Sequence, residues 1–575
     1  MNFFNYLAAF LLLSIACAFY CFVGQNAVNV PYFDDYAYLE YVIKFADAPT
    51  IGTFLQELEF KHNGHGVITA KLAFWFDYLL TGQVNYRILI LAGSLLIIGL
   101  FGYFYKVLVV NKIPFFFALP IGLFLFTPAY HENIFWAAAL WQYTASFVIG
   151  IITYYLLAIP AWGALVGAVL GGYLLTYTNG NGLFGMYVGL LIPLMQYRYR
   201  AALVWLFACI LTSIAFYWYY PFGFGSLNQE KSLKNSLLTL LSFFGAGALY
   251  LRGRLPEVAA LGAAISLSLL TLAFWVGGAF ALSIVRNCSK SLAAHSRPKI
   301  LVTFTQHPAN LSLLALLGWL FITGLGVAMA RAGQALETPA RYMIYSVTAI
   351  VSLYVVLLLL VSSKVRYALA GGTTLVGAVF YLGTYLFAAP DVVNFRNSLI
   401  ADGLSLRTHG RVSGKLETMT NNVTKKYFEE SVKRGMYVLP ADSTMRFPTV
   451  RVDSTQLTAI PMSFKVDTLP AYGGILIQKI ANSTVSINQS QADNALFLLL
   501  TSDSTTYISA ARQTPSRDRK MFLKTRNYFK EGFEAWVFQD NVPSGSYQLG
   551  LWYHENGQNR VVYTLEKLVV KNYGK

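Results

Sequence analysis

The chain has 575 residues, of which 56% are hydrophobic and 12% charged, and its formal charge is +16. Apolar runs of membrane length recur through roughly its first two-thirds, which excludes a soluble globular protein and predicts a polytopic membrane protein. The four cysteines lie in or beside these runs and show neither a metal-ligand spacing nor a disulfide framework. The excess of basic residues suits topology signals and contact with anionic lipid or phosphate; we predict no nucleic-acid partner.

The first apolar run, residues 3–23, predicts an uncleaved anchor, because no basic residue precedes it and no small-residue cleavage site follows it. Residues 24–87 form a long first loop that begins with two adjacent carboxylates, Asp34 and Asp35. Apolar and polar segments alternate through the rest of this loop, which predicts helices that lie along the membrane surface.

Ten further apolar runs bring the predicted number of crossings to about eleven. They are 88–105, 114–128, 136–158, 161–177, 183–196, 201–219, 257–285, 310–330, 343–362 and 367–389. Short loops with basic residues lie on one side if the N-terminus is cytoplasmic. These residues are Lys106, Lys112, Arg198, Arg200, Lys364 and Arg366. The first loop then lies on the external side.

The apolar segment 237–251 is short, and two topologies follow from it. If it spans, the tail after residue 390 is cytoplasmic; if it enters and returns, the tail is external. We prefer the re-entrant alternative because it places the basic stretch 286–299 on the cytoplasmic side.

From residue 390 the composition becomes polar. Residues 391–445 predict a helical linker, and residues 446–575 predict an all-β, sandwich-like domain, because alternating runs are separated by turn residues. The predicted strands are 449–452, 462–466, 475–480, 496–500, 506–510, 535–538, 547–552 and 561–570. The predicted fold is therefore mainly α, a transmembrane bundle over residues 1–390 followed by this β domain.

An acidic pair just outside a membrane helix is unusual unless its charge is used. Asp34 and Asp35 are candidate catalytic carboxylates, with Asp35 as the preferred base, and the alternative is a solvated helix cap. His131 and Glu132 follow the run 114–128. They are candidates for contact with the acceptor or a metal, and the alternative is that they simply lie at a helix N-terminus at the interface, where Glu is favoured.

Two more features would share the external side. Arg331, Arg341 and Tyr342 lie in one short loop and suit phosphate binding, or else anchor the helix ends at the interface. His62 and His65 are spaced to present two imidazoles to a phosphate or metal, or else are ordinary loop residues.

Together these motifs resemble the GT-C type of membrane glycosyltransferases. Asp34-Asp35 is similar to that family's carboxylate motif in the first external loop, and His131-Glu132 is similar to its second acidic site. The His62–His65 segment and the Arg331–Tyr342 loop resemble a bacterial subgroup, in which an Arg often stands where this chain has Gly66. The resemblance covers roughly residues 1–400.

The resemblance implies transfer of a sugar from a polyprenyl-phosphate-linked donor to a hydroxyl of a glycan acceptor, with inversion, at the external membrane face. The resemblance leaves open whether the reaction needs a divalent metal such as Mg²⁺ or Mn²⁺; Asp35 and Glu132 are its candidate ligands. The implied location is the bacterial inner membrane, with a cytoplasmic N-terminus and a periplasmic or extracellular β domain. The alternatives are a transporter or flippase of lipid-linked glycans, which should show inverted repeats, and a non-catalytic glycan-binding scaffold.

Overall fold

The computed structural model describes most of the chain. The described residues are 3–60, 62, 64, 66–218, 232–251, 255–288, 298–332, 340–410, 422–440, 462–470, 476–485, 487–489, 494–503, 505–516 and 518–571. They form two compact units. The helical unit comprises Met1–Cys21, Ala48–Ala73 and Ala92–Tyr385, and the mixed unit comprises Phe22–Asp47, Phe74–Leu91 and Leu386–Lys575. The predicted first loop therefore contributes to both units.

Helices account for most of the described residues. In chain order they are α1 (Phe3–Asn26), α2 (Asp35–Ala46), α3 (Ile51–Glu59), α4 (Ile68–Thr81), α5 (Tyr86–Val110), α6 (Leu119–Leu125), α7 (His131–Phe135), α8 (Ala137–Ala139), α9 (Ala145–Ala158), α10 (Trp162–Thr176), α11 (Gly182–Gly189), α12 (Leu191–Met195), α13 (Tyr199–Trp218), α14 (Leu233–Gly245), α15 (Leu255–Cys288), α16 (Lys299–Thr305), α17 (Pro308–Ala330), α18 (Met343–Leu360), α19 (Ser363–Phe387), α20 (Ala389–His409), α21 (Asn422–Lys433) and α22 (Arg519–Thr525).

Eight helical segments in the described part of the chain are long and apolar enough to cross a membrane. They are Phe3–Asn26, Tyr86–Val110, Ala137–Ala158, Tyr199–Trp218, Leu255–Val285, Pro308–Ala330, Ala340–Leu360 and Ser363–His409. The predicted transmembrane helical architecture is confirmed at this level. The other three predicted spans contain only shorter helices, among them α6 with 7 residues and α10 with 15. At 1.5 Å per residue these fall short of a bilayer core of about 30 Å, so the count of about eleven stays a prediction.

The segment predicted to be re-entrant forms α14 and a 3₁₀ turn, Ala246–Leu251. Its backbone packs tightly on α15 at two glycines: a Cβ on Gly245 would lie 1.8 Å from the carbonyl oxygen of Val258, and one on Gly262 would lie 1.9 Å from that of Leu241. Such packing supplies the burial by protein that a re-entrant segment needs. Whether the segment crosses the membrane stays a prediction.

The mixed unit contains two antiparallel sheets, as predicted for the C-terminal domain. The strands are β1 (Lys465–Pro470), β2 (Leu476–Asn482), β3 (Ala495–Thr501), β4 (Thr506–Ala510), β5 (Phe533–Phe538), β6 (Gly545–Glu555) and β7 (Gln558–Val570). Their order is β1-β2-β5 in one sheet and β4-β3-β6-β7 in the other. The predicted strand 449–452 lies outside the described residues.

Strand β3 is hydrophobic at nearly every position because both of its faces are buried. Leu496, Leu498 and Leu500 face the core between the two sheets. Phe497 and Leu499 belong to a second core, together with residues of α20. The predicted linker therefore includes a helix whose residues 389–406 are almost all buried and which covers the outer face of the four-stranded sheet.

Candidate functional site

A carboxylate and a guanidinium that lie 209 residues apart in the chain meet in the helical unit. Nη1 of Arg341 donates to Oε1 of Glu132 at 2.8 Å, and the backbone N–H of Arg341 donates to Oε2 at 3.2 Å. The exposed fractions of the two side chains are 21% for Arg341 and 18% for Glu132. Glu132 lies in the first turn of α7, whereas Arg341 lies in the 3₁₀ turn Ala340–Tyr342 that leads into α18. Both charges are therefore partly removed from water and positioned by helix ends.

Aromatic rings surround this ion pair. The guanidinium carbon of Arg341 lies 5.5 Å from the ring centre of Trp136 and 5.3 Å from that of Tyr342. The guanidinium of Arg331 lies 5.2 Å from the same Tyr342 ring. Cation–π attraction of this kind is stronger where water is excluded. The three residues predicted to bind phosphate, Arg331, Arg341 and Tyr342, are thus brought together.

A π-helical turn, Leu140–Thr144, carries another ring of the cluster. The Tyr143 ring lies 5.6 Å from Tyr342, nearly perpendicular to it. The turn is tied to α7 through a buried amide, since the Thr144 hydroxyl donates to Oδ1 of Asn133 at 2.7 Å. Such turns are rare and often occur at functional sites. Sequence reasoning missed Tyr143, because nothing local distinguishes it from other span tyrosines.

Deeper in the helical unit, Tyr345 continues the cluster. Its hydroxyl accepts a hydrogen bond from Nδ2 of Asn181 at 3.1 Å and, less closely, from Nδ2 of Asn179 at 3.4 Å. Oδ1 of Asn181 is buried and has no hydrogen-bond partner within the described residues. Asn179 and Asn181 lie between α10 and α11, and they hold a ring whose centre is 6.4 Å from that of Tyr342.

The segment that follows His65 also reaches this region. The backbone N–H of Ile68 donates to the Tyr177 carbonyl at 2.8 Å, and the Thr69 hydroxyl donates to the Trp141 carbonyl at 2.7 Å. Gly66 fits because a Cβ there would lie 2.5 Å from Cα of Tyr177. His62 is half-buried, and His65 lies outside the described residues. Their predicted roles stay predictions.

Asp34 and Asp35 belong to the mixed unit, at the start of α2. Asp35 is only 1% exposed, and its Oδ2 accepts a hydrogen bond from the Tyr32 backbone N–H at 3.1 Å. Asp34 occupies the N-cap position but makes no capping hydrogen bond with its side chain, and it is half-buried. Phe33, just before it, has φ +47°, a strained value for a bulky residue.

This arrangement gives the two acids different environments. Asp35 stabilises the turn that precedes α2 and lies among buried tyrosines. One of them is Tyr437, whose pKa is raised by burial and, to a lesser extent, by the negative charge of Asp35. A solvated cap, the alternative considered for the pair, does not describe Asp35. The sequence predicts that Asp34 and Asp35 lie close to Arg331 and Arg341. The acids belong to the mixed unit and the arginines to the helical unit, so this proximity stays a prediction.

Within the described residues, no group of three or more His, Cys, Asp or Glu side chains is arranged to hold a metal ion. The suggested ligation of a metal by Asp35 and Glu132 stays a prediction. Comparisons of the chain with models of known protein families, with curated proteins and with solved structures find no match. The functional conclusion therefore rests on the sequence motifs and on the geometry of the Glu132–Arg341 cluster.

Proposed function

We propose that the protein is a GT-C type glycosyltransferase that moves a sugar from a polyprenyl-phosphate-linked donor to a hydroxyl acceptor at the external membrane face. The observation that carries the proposal is the Glu132–Arg341 pair, set among the rings of Trp136, Tyr342 and Tyr143. A guanidinium suits a phosphate diester, and flat rings suit the apolar face of a sugar or an isoprenyl chain.

The reaction breaks the bond between the anomeric carbon and the phosphate oxygen, and the phosphate leaves with the electron pair. The acceptor oxygen forms the new bond to the anomeric carbon and loses its proton to a carboxylate. Attack from the face opposite the phosphate inverts the anomeric centre. Positive charge develops on the sugar as the old bond weakens, and a nearby carboxylate stabilises it.

The guanidinium of Arg341 would neutralise the leaving phosphate. A guanidinium has five N–H donors. Glu132 accepts from Nη1 of Arg341 and from the backbone N–H, so it leaves other guanidinium donors for phosphate oxygens. Glu132 holds the guanidinium in place, and Tyr342 lies beside both Arg331 and Arg341. We assign proton removal to the acidic pair. Asp34 is the more accessible of the two to an acceptor, because it is half-buried whereas Asp35 is only 1% exposed.

The test uses the full-length chain in lipid nanodiscs. A panel of undecaprenyl-phosphate-linked hexoses and pentoses, labelled in the sugar, is added with a cell-envelope glycan extract as the acceptor. Release of undecaprenyl phosphate, together with label in glycan, is the expected result for at least one donor. Asp34→Asn should abolish this turnover while leaving binding of undecaprenyl phosphate intact, whereas Arg341→Gln should weaken that binding.

Arg434→Gln is the matched control, because Arg434 forms an exposed ion pair with Asp47 and Glu430. It should change neither turnover nor binding. Movement of the labelled lipid across the bilayer without release of undecaprenyl phosphate would favour the flippase alternative. Full turnover by well-folded Asp34→Asn and Asp35→Asn variants would show that the acidic pair is not the base.

A further inference from the structure

A cavity of ≈ 470 Å³ lies in the helical unit, at the beginning of α10 and α13. Its lining comprises Pro160, Ala161, Trp162, Leu165 and residues 197–201. This volume is within the usual range for small-ligand sites, about 300–1,000 Å³. None of the predicted glycosyltransferase residues lines it.

The cavity carries positive charge, and no carboxylate among the described residues forms a salt bridge with it. Arg198 and Arg200 line it, and no acidic residue occurs in the sequence between Glu132 and Glu230. Neither arginine forms a salt bridge with any described residue. Burial lowers the pKa of Arg198, so its charged form has lost part of its hydration without gaining a carboxylate. An anion in the cavity would restore the missing stabilisation.

The turn that presents these arginines is held from two sides. Nη1 of Arg198 donates to the Leu157 carbonyl and to Oε1 of Gln196, both at 2.9 Å, which anchors the turn to the end of α9. Tyr197 hydrogen-bonds Ser283 of α15 through its hydroxyl. Tyr197 has φ +59°, a strained conformation for an aromatic residue. Local strain of this kind persists only where the surroundings impose it, and it is concentrated at functional sites.

The position of the cavity indicates the kind of anion. The candidate span Ala137–Ala158 ends here and the candidate span Tyr199–Trp218 begins here, so we expect the cavity at a membrane–water interface. Trp162 and Tyr199 are 64% and 58% exposed, as aromatic residues at the headgroup level often are. Among the described residues no side chain caps the N-terminus of α10, and its first residue, Trp162, lines the cavity together with Ala161.

We propose that this cavity binds the phosphate of an anionic phospholipid headgroup. Arg198 and Arg200 contact the phosphate oxygens, and the rings of Trp162 and Tyr199 flank the glycerol and the upper acyl chain. A basic pocket between membrane helices is a known mode of headgroup recognition. The site is separate from the proposed sugar transfer and does not depend on it, so either proposal can fail alone.

The test measures lipid binding by the purified full-length chain in detergent micelles, using native mass spectrometry and thermal unfolding. Dioleoyl phosphatidylglycerol is titrated against dioleoyl phosphatidylcholine, and inorganic phosphate is added in a parallel series. The first variant is Arg200→Gln, because Arg200 is exposed and its loss leaves the helix contacts intact. Arg198→Gln is the second, and Lys364→Gln, an exposed lysine on the same predicted side, is the matched control.

We expect phosphatidylglycerol to bind more tightly than phosphatidylcholine and to raise the unfolding temperature. Arg200→Gln should weaken phosphatidylglycerol binding about tenfold, as loss of a hydrogen bond to a charged group does, and Lys364→Gln should leave it unchanged. Equal weakening by Arg200→Gln and Lys364→Gln would overturn the proposal, because binding would then be diffuse surface attraction. If millimolar inorganic phosphate displaces the lipid, the anion that the cavity binds is free phosphate, and the assignment to a lipid headgroup is wrong.

Discussion

The Glu132–Arg341 ion pair can be tested by a double-mutant cycle on stability. The single variants are Glu132→Gln and Arg341→Gln, and the cycle is closed by the double variant. Gln at position 132 keeps a carbonyl oxygen that can still accept from the Arg341 backbone N–H, so the cycle isolates the charge–charge part of the contact.

The expected coupling follows from distance and burial. Two unit charges about 4 Å apart attract by about 4 kcal/mol at an effective dielectric constant of about 20. Desolvation offsets much of this attraction, and exposed pairs retain only about 0–1 kcal/mol. Because the side chains of Glu132 and Arg341 are 18% and 21% exposed, we expect a coupling of about 1–3 kcal/mol.

The assay is denaturant unfolding of the full-length chain in detergent micelles, followed by tryptophan fluorescence. The same cycle on the exposed pair Asp47–Arg434 is the control and should give a smaller coupling that salt removes. A Glu132–Arg341 coupling indistinguishable from that of the control would refute the reasoning, because the pair would then be as well solvated as a surface contact.

Three other changes have defined outcomes. Burial raises the pKa of Asp77 from 3.8 to about 6. The native state therefore keeps a proton on Asp77 that the unfolded state releases, and stability is lost as the pH rises from about 4 through 6. In pH-dependent unfolding, Asp77→Asn should equal the parent near pH 4 and should be more stable at pH 8, by about 1–2 kcal/mol after allowance for solvent screening. Gly262→Ala places a Cβ 1.9 Å from a carbonyl oxygen and should destabilise by about 1–3 kcal/mol, whereas Gly277→Ala on the same helix meets nothing within 4 Å and should be tolerated; unfolding midpoints decide between these outcomes. Arg512→Gln removes the guanidinium whose Nε bonds Ser398 of α20, and it should loosen α20 from the sheet, which amide hydrogen exchange would show as faster exchange in α20 alone.

Much of the architecture was predictable because its signals are local. The apolar runs at 3–23, 88–105 and 310–330 are long enough to span, and each corresponds to a candidate span. Alternation with turn residues likewise placed strands close to β2 and β6. The burial of α20 was not predictable, since its polar face meets polar groups of the same domain, as in the bond from Nδ2 of Asn397 to Gln489.

The sequence by itself indicated the eight segments that are long and apolar enough to cross a membrane and the β character of the C-terminal domain, because hydrophobic length and side-chain period are properties of neighbouring residues. It also indicated Glu132, Arg341 and Tyr342 as unusual, through their positions at the ends of apolar helices. Only the tertiary structure decided that Glu132 pairs with Arg341, that Tyr143 joins them, and that Asp35 is buried. Such contacts depend on how helices far apart in the chain pack together, and spacing along the sequence carries no record of that packing.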